Sequence, residues 1–503
     1  MTIPFRNIPQ NLRVPLFYAE VDNSQANTGG QNQCALIIGQ ITSAGAAPPN
    51  IPLLCQGPND AITQGGAGSM LALMVQAYLA NDSFGTVYYL PLSDAGAATP
   101  ASGTIVFTHV PTAAGTISLY VAGQSVSVSV SASEAVIDIA TAVAAAINAL
   151  TSLPVTAATG GTATVTITAK NAGLCGNDID VRLNYRGAVN GELTPTGLTY
   201  TQTGTSSGGG YLLAGGATNP TLTTALANLP AGVLFDFIAS PYTDATSTAA
   251  VSAMLNDATG RWSYAQQLYG GVFMASRGSS GTLTTFGNTF NDQHSSVMGM
   301  FDSPTPAWIW AAAVTGAAAA SLKADPAIPL QTVAFHGVLA PPVASQFLIS
   351  QQNTLLWNGI STFTVDQGGV CHIQNLITTY QKNGFSVADD SYLEIETMYT
   401  LMYVLRFLKT IVTSKYSRVK LAADGTAFAP GSAIVTPKIV KADLIAGYQQ
   451  LCYDGYCQNA PKFAAGLVVA QNSTNPNRLD VLYPAVLIDQ LRVFALLAQF
   501  RLV

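Results

Sequence analysis

Several places in this chain carry residue types that could do chemistry. Gly204-Thr-Ser206-Ser-Gly208 has the GxSxG spacing of a hydrolase nucleophile elbow, which needs a strand before the serine, a helix after it, and Asp and His further on. Here the pentapeptide lies in a Gly/Ser-rich stretch, Gly204 to Gly210, that reads as a flexible linker. Cys371 and His372 could serve as thiol and base, but neighbours on a strand point to opposite faces. Cys452 and Cys457 are near enough in sequence to cross-link. In a chain with six scattered cysteines (the others are Cys34, Cys55, Cys175 and Cys371) and no CxxC pair, free thiols in a reducing compartment are the simpler reading. None of His109, His294, His336 and His372 is two to five residues from another, so no metal-ligand spacing is present. Asp389-Asp390 could hold a cation, yet it precedes a helix-forming run and reads as capping. Neither a P-loop nor GxGxxG occurs. No catalytic, cofactor or metal site is expected, so function must lie in surfaces and ends.

The composition points the same way. Only 9% of the 503 residues are charged, against roughly 25% in ordinary globular proteins, and so uncharged a surface suggests burial against other protein. Residues 382–503 hold 12 of the 20 Lys and Arg but 9 of the 26 acids, which leaves an acidic body and a mildly basic end. That distribution argues against a nucleic-acid binder, which needs clustered cations to displace counterions. The opening residues lack a basic stretch followed by an apolar one, so no export signal is expected. The uncharged run Ala307 to Ala320 is too short to span a bilayer, so no membrane insertion is expected.

The elements that must position any interacting surface suggest a multidomain α+β and α/β chain: a layered α/β core, an inserted β-rich peripheral domain, and a C-terminal α+β domain with extended arms at both ends. Residues 1–33, punctuated by Pro4, Pro9 and Pro15, read as an N-terminal arm with one extended stretch, Leu12 to Val21. Residues 34–95 read as strand (Cys34 to Ile41), helix (opened by Gly65 to Ser69) and strand (Thr86 to Leu92), the first part of the core. Residues 96–203 alternate valine and isoleucine with serine and threonine, the period of a half-buried antiparallel sheet, with a hairpin at Ile117–Val121 and Ser125–Val130. Ser131 and Glu134 there suggest a capping box for a helix carrying Val136, Ile139, Val143, Ile147 and Leu150. Residues 204–385 return to the core, with strands at Val233–Ala239, Gly271–Ala275 and Thr332–Val338 and helices at Ala245–Asp257 and Trp308–Leu322.

Residues 386–492 open with a long helix. Ser391 and Glu394 suggest a second capping box, acids crowd its start, and Lys409, Lys415, Arg418 and Lys420 lie at or past its end, as the helix dipole favours. Strands are expected at Ala433–Val440 and Gly466–Gln471. Residues 493–503 form an apolar tail, an aggregation hazard on a monomer.

Specific strings narrow the reading. Arg13 to Glu20, Gly57 to Asp60, Gly68 to Met74, Ala114 to Gly123, Ala169 to Asn177, Leu213 to Pro220, Leu355 to Thr362, Ile377 to Tyr380, Tyr392 to Leu401 and Asn477 to Pro484 occur in an order that resembles the tail sheath proteins of Mu-type contractile bacteriophages, over nearly the whole chain. One departure is Gly455 to Asn459, where the family often carries an acid before the Asn and this chain has Gln458.

The resemblance implies a structural subunit of a virion tail, assembled in the host cytoplasm, with no cofactor. Its partners would be copies of itself in hexameric rings and a helical lattice, an inner tail tube protein, and baseplate and tail terminator proteins. It further implies arms that add strands to a neighbour's sheet. The N-terminal strand would present Leu12, Val14, Leu16 and Tyr18, and the C-terminal one Phe494, Leu496, Phe500 and Leu502. The acceptor would be built from Ile434, Val435, Ile439 and Val440 with Leu467, Val468 and Val469. Lys409, Lys415, Arg418 and Lys420 would face an acidic tube, and the insertion would lie outside and be dispensable for the lattice. The alternative class is a Ser/Thr-rich surface or adhesin-like structural protein, which shares the low charge and β content but needs an export signal.

Overall fold

Cys34–Gln40 is apolar at nearly every position, and such a run belongs in a parallel sheet covered on both faces. In the computed structural model, which describes residues 33–501 (backbone only at Ser206 and Ser207), it is a central strand of a six-stranded sheet. Across that sheet the order is Ser295–Met300, Gly271–Arg277, Phe235–Ala239, Cys34–Gln40, Thr86–Leu92 and Leu53–Leu54. The first five run parallel, and only the short edge strand Leu53–Leu54 is antiparallel. One face is covered by the helices Met70–Leu79 and Ala307–Ala324. The first begins where Ser69 accepts a hydrogen bond from the Ala72 amide, 3.1 Å away. The second is almost wholly buried, and its small residues let the two helices meet closely.

Most core elements fall where the hydrophobic periods place them, with ends shifted by a residue or two. Thr332–Val338 differs: only Ala334–Phe335 is strand, because Thr332 and Gly337 both have left-handed backbone that ends the extension on either side. That short strand lies in a three-stranded sheet with Cys371–Asn375 and Thr362–Val365.

The insertion forms a four-stranded and a five-stranded antiparallel sheet, with the helix Val136–Ala149 packed against strands of both. The expected hairpin is present as Gly115–Val121 paired with Gln124–Val130. The expected capping box is half made: the Ser131 amide donates to Glu134 at 2.6 Å, but the helix starts later, at Val136. The stretch read as a linker is instead a hairpin, Thr205–Ser207 with Gly210–Leu212, that joins the five-stranded sheet. Its glycines serve the turn, where Gly208 has a φ of +58°.

The insertion is not a loosely tethered module. A single hydrophobic core runs from Ile105, Val128 and Ile167 through Trp308 and Trp310 to Tyr399. Buried polar groups stitch the seam. Asn171 accepts from the Met70 amide and donates to the Ile41 carbonyl, each at 2.9 Å. Arg182 bonds Asp180 within the insertion and Asp302 of the core, 2.6 and 2.9 Å away. Arg277 of the core pairs with Asp178 and donates to the Ser303 carbonyl at 2.6 Å. Removing the insertion would uncover all of these groups.

The C-terminal region has its own small core around Val440, Leu444, Tyr448, Leu451 and Phe463. It consists of the long helix Ile395–Tyr416, a parallel bridge of Lys420–Leu421 with Ile434–Val435, the helices Pro437–Tyr453 and Ala460–Gly466, and the hairpin Val468–Gln471 with Leu479–Leu482. Three expectations are corrected here. Ala433–Val440 is not a strand beyond Ile434–Val435. Thr436 caps the Ile439 amide and Pro437 takes the first helical position, so Ile439 and Val440 lie on a helix whose buried residues recur as Val440, Leu444, Tyr448 and Leu451. Leu467 closes the preceding helix, leaving the strand to begin at Val468. The second capping box does not form either: the long helix starts at Ile395, and Ser391 bonds Asp389 instead of capping.

Candidate assembly surfaces

The groups that suggested catalysis are held apart or shut in. Cys371 is buried while His372 turns outward to Asp366, 3.2 Å from its carboxylate. Burial pushes the Cys371 and Cys457 thiols up to about 12, so neither supplies a thiolate near neutral pH. Cys452 and Cys457 are free. Asp389 is used locally, accepting from the Tyr380 hydroxyl at 2.9 Å and from the Ser391 amide. Among the described residues no three His, Cys, Asp or Glu side chains gather as a metal site, and no helix is long and apolar enough to cross a membrane.

One surface open to other chains lies in the C-terminal region. The hairpin Val468–Gln471 with Leu479–Leu482 is a sheet of its own, resting on the helix Pro437–Tyr453. Among the described residues no other strand pairs with either outer edge, and a two-stranded ribbon is marginal in water. Val468 and Leu482 show more than half their surface to solvent, and Val469 is half-buried.

Beyond the hairpin the chain runs back over the body without regular structure. The Gln458 amide donates to the Val486 carbonyl at 2.9 Å, the Ile488 amide to the Tyr456 carbonyl at 3.1 Å, and the Val486 amide to the Tyr448 hydroxyl at 3.0 Å. Gln458 donates its side-chain amide to Asp489 at 2.9 Å, a bond that a carboxylate at this position would replace with repulsion. Arg492 then places one nitrogen between Glu394 and Glu396, 2.9 and 2.5 Å away. Glu396 has no solvent exposure and also receives the Leu330 amide at 2.7 Å. Burial raises the carboxyls of both glutamates, and Arg492 pulls against it.

After Arg492 the described residues 493–501 make no hydrogen bond to the body, and Phe494, Leu497 and Phe500 are each about four-fifths exposed (79%, 83% and 85%). Leu496 is exposed to a similar degree. Leu12, Val14, Leu16, Tyr18 and Leu502 lie outside the described residues.

The basic residues are divided. Lys409, Arg418 and Lys420 are exposed and carry no ion pair among the described residues, while Lys415 sits 3.5 Å from Asp443. The other half of the long helix is committed to the body: Glu396 and Thr400 are fully buried, and Arg406 pairs with Asp236 of the central sheet at 2.5 Å.

Sequence reasoning singled out neither Asp236 nor Arg492 as a structural partner. Asp236 is a lone charge inside an apolar run, and Arg492 with Asp489 interrupts another, the one signal that could have marked them.

Comparisons with known proteins extend this picture. Residues 215–379 match the family described as the phage tail sheath protein central domain, and residues 387–501 match the phage tail sheath C-terminal domain. The Mu-like prophage FluMu tail sheath protein of Haemophilus influenzae is 36% identical over 504 aligned positions, covering all of both chains. Among solved structures, the sheath tail protein of Desulfitobacterium hafniense is similar over 95% of this chain and 97% of its own, at 14% identity and a TM-score of 0.48. The helical sheath of the anti-feeding prophage in its contracted state is similar over 97% of this chain and 99% of its own, at 12% identity and a TM-score of 0.46.

Proposed function

The chain belongs to the phage tail sheath family, structural proteins of the contractile virion tail and not enzymes, and from that premise we propose that it polymerises as stacked hexameric rings around an inner tail tube and contracts to drive that tube through a host envelope. Membership sets aside the alternative of a secreted Ser/Thr-rich surface protein. The observation that supports the polymer is one of incomplete pairing among the described residues: an exposed apolar tail with no hydrogen bond to the described body lies in the same chain as a two-stranded hairpin whose edges pair with no other described strand.

The tail Phe494–Val503 of one copy, with the arm strand Leu12–Val21 of another, adds to the hairpin Val468–Gln471 and Leu479–Leu482 of a third. Backbone hydrogen bonds supply the affinity, and exposed Leu and Phe side chains the burial. Such joints survive rigid rotation of the bodies, so a lattice can change pitch without coming apart. No nucleotide is consumed: the extended lattice is a kinetic trap, and contraction adds contacts between subunits. Assembly takes place in the host cytoplasm, where the polymer is bounded by a baseplate at one end and a terminator at the other. Lys409, Arg418 and Lys420, with Lys415 in a lesser part, face the tube.

Truncation after Arg492 tests the reading. Because residues 493–501 hold nothing in place, the truncated chain should melt like the full one while failing to form tubes by negative-stain microscopy. The milder double variant Leu496→Asp, Phe500→Asp should behave the same way. Tubes formed as readily by both variants would overturn the proposal.

A further inference from the structure

The tail has a definite root, and its position is unexpected. From Tyr483 to Ile488 the chain belongs to the small C-terminal core, bonded to Tyr448, Tyr456 and Gln458. Four residues later it has crossed to the α/β side. Gln331 donates to the Leu491 carbonyl at 3.3 Å, and Arg492 reaches Glu394 and Glu396 at the start of the long helix. Glu396 is held from the opposite side by the Leu330 amide, so the acceptor of the clamp is itself fixed. The Arg492 side chain is only 15% exposed, whereas Val493, the next residue, is 81% exposed. The change from clamped to free chain occurs within one residue.

We propose that Arg492 is the anchor of the C-terminal tail: it fixes where the chain leaves the body and passes any pull on the tail to the buried start of the long helix. That a neighbour pulls on the tail rests on the assembly reading above; the anchor itself does not. The small C-terminal core holds residues 485–488 by main-chain bonds, by the Tyr448 hydroxyl and the Gln458 side-chain amide, and by packing of Ala485 and Leu487, but by no charge pair. A charge held between two carboxylates, one wholly buried, is costly to withdraw because it leaves uncompensated charge behind. Pull on the tail therefore loads the junction between the C-terminal region and the α/β layer, and the two move together. Arg492 is a positioning residue, and the donated segment begins at Val493.

Hydrogen exchange on the full-length, unassembled protein tests the anchor. Arg492→Met keeps the aliphatic stem and removes the charge. Amides of residues 486–492 should then exchange at least tenfold faster, while the helix Pro437–Tyr453 keeps its rates. Arg492→Lys, which retains charge on a shorter reach to the single point both carboxylates contact, should fall between. Should Arg492→Met fail to fold, Glu394→Gln removes only the more exposed carboxylate and should give a smaller rise confined to the same amides. Unchanged protection at 486–492, or a loss spread evenly over the C-terminal region, overturns the anchor. Polymerisation is scored separately by microscopy: absence of tubes from the unaltered protein counts against the assembly reading and leaves the exchange result to decide the anchor.

Discussion

Arg406 of the long helix meets Asp236 of the central sheet, guanidinium Nη1 to carboxylate Oδ1 at 2.5 Å, where the aspartate has no solvent exposure. Around the pair, the Tyr399 hydroxyl donates to the Asp236 carbonyl at 2.6 Å and its ring stacks on Phe237 with centroids 5.0 Å apart. The helix that opens the C-terminal region is therefore fixed to the α/β layer by one buried charge pair within an aromatic shell. Breaking it from one side, as Arg406→Ala does, should lower stability by about 3–5 kcal/mol, because the carboxylate is left buried and uncompensated. Urea denaturation measures this directly, and a loss under about 1 kcal/mol would show that water reaches Asp236.

The same carboxylate predicts an unusual pH dependence. Burial raises Asp236 from 3.8 to about 6, against the pull of Arg406 and Lys323. A raised folded pKa means that the folded chain binds more protons than the unfolded one between those two values, so this group's contribution to stability improves as pH falls through 6. Relative to Asp236→Asn, which cannot titrate, the unaltered protein should gain about 2 kcal/mol between pH 7.5 and 4.5. Parallel stability curves for the two proteins would contradict the shift.

The seam between the insertion and the core gives a second test. Arg277 pairs with Asp178 of the insertion and donates to the Ser303 and Thr305 carbonyls of the core, so Arg277→Ala leaves the Asp178 charge with only the Ala307 amide and frees two acceptors at once. A loss of about 3–5 kcal/mol is expected by thermal or chemical melting. Deletion of residues 100–212 should give insoluble chain, because Trp308, Asp302 and the helix Met70–Leu79 lose their cover. A soluble, cooperatively melting deletion would restore the view of the insertion as an accessory.

How much of this was legible beforehand divides along physical lines. Cys34–Gln40, Thr86–Leu92 and the helices Ala245–Leu255 and Ala307–Ala324 were readable because long apolar periods leave few alternatives. The strings resembling tail sheath proteins placed the family correctly, and with it a structural protein in place of an enzyme. The C-terminal acceptor was misread because Ala433–Val440 is β-branched and apolar, and that signal outweighed the Thr436-Pro437 helix start within it. Gly204–Gly210 was misread because glycine and serine suit a linker and a tight hairpin equally well. Asp236, Arg277 and Arg492 could not be seen as partners, since their counter-charges lie 170, 99 and 96 or more residues away in sequence.

Gly316 offers a test of helix packing that runs against propensity. In an isolated helix interior, Gly→Ala stabilises by about 1 kcal/mol. Here a Cβ at Gly316 would lie 2.5 Å from the Tyr78 carbonyl oxygen, which belongs to backbone and cannot swing aside. Gly316→Ala should therefore destabilise, by about 1–3 kcal/mol for the displaced helix. A rise in melting temperature would mean that the helices Met70–Leu79 and Ala307–Ala324 separate more easily than their burial suggests.

The exposed cations past the long helix make the last prediction. Lys409, Arg418 and Lys420 are solvent-facing, so reversing them to Glu should change stability by no more than about 0.5 kcal/mol each. Lys415 is left alone in this test because it neighbours Asp443, and its loss would confound folding with assembly. If these three charges face an acidic tube, the triple variant should polymerise by itself yet no longer assemble on tubes. The unaltered protein's affinity for tubes should fall with added salt as the Debye length shrinks from about 10 Å at 0.1 M to about 3 Å at 1 M. Co-sedimentation with purified tubes reads both effects. Binding by the triple variant at unaltered affinity, with the same dependence on salt, would place the tube contact elsewhere on the subunit.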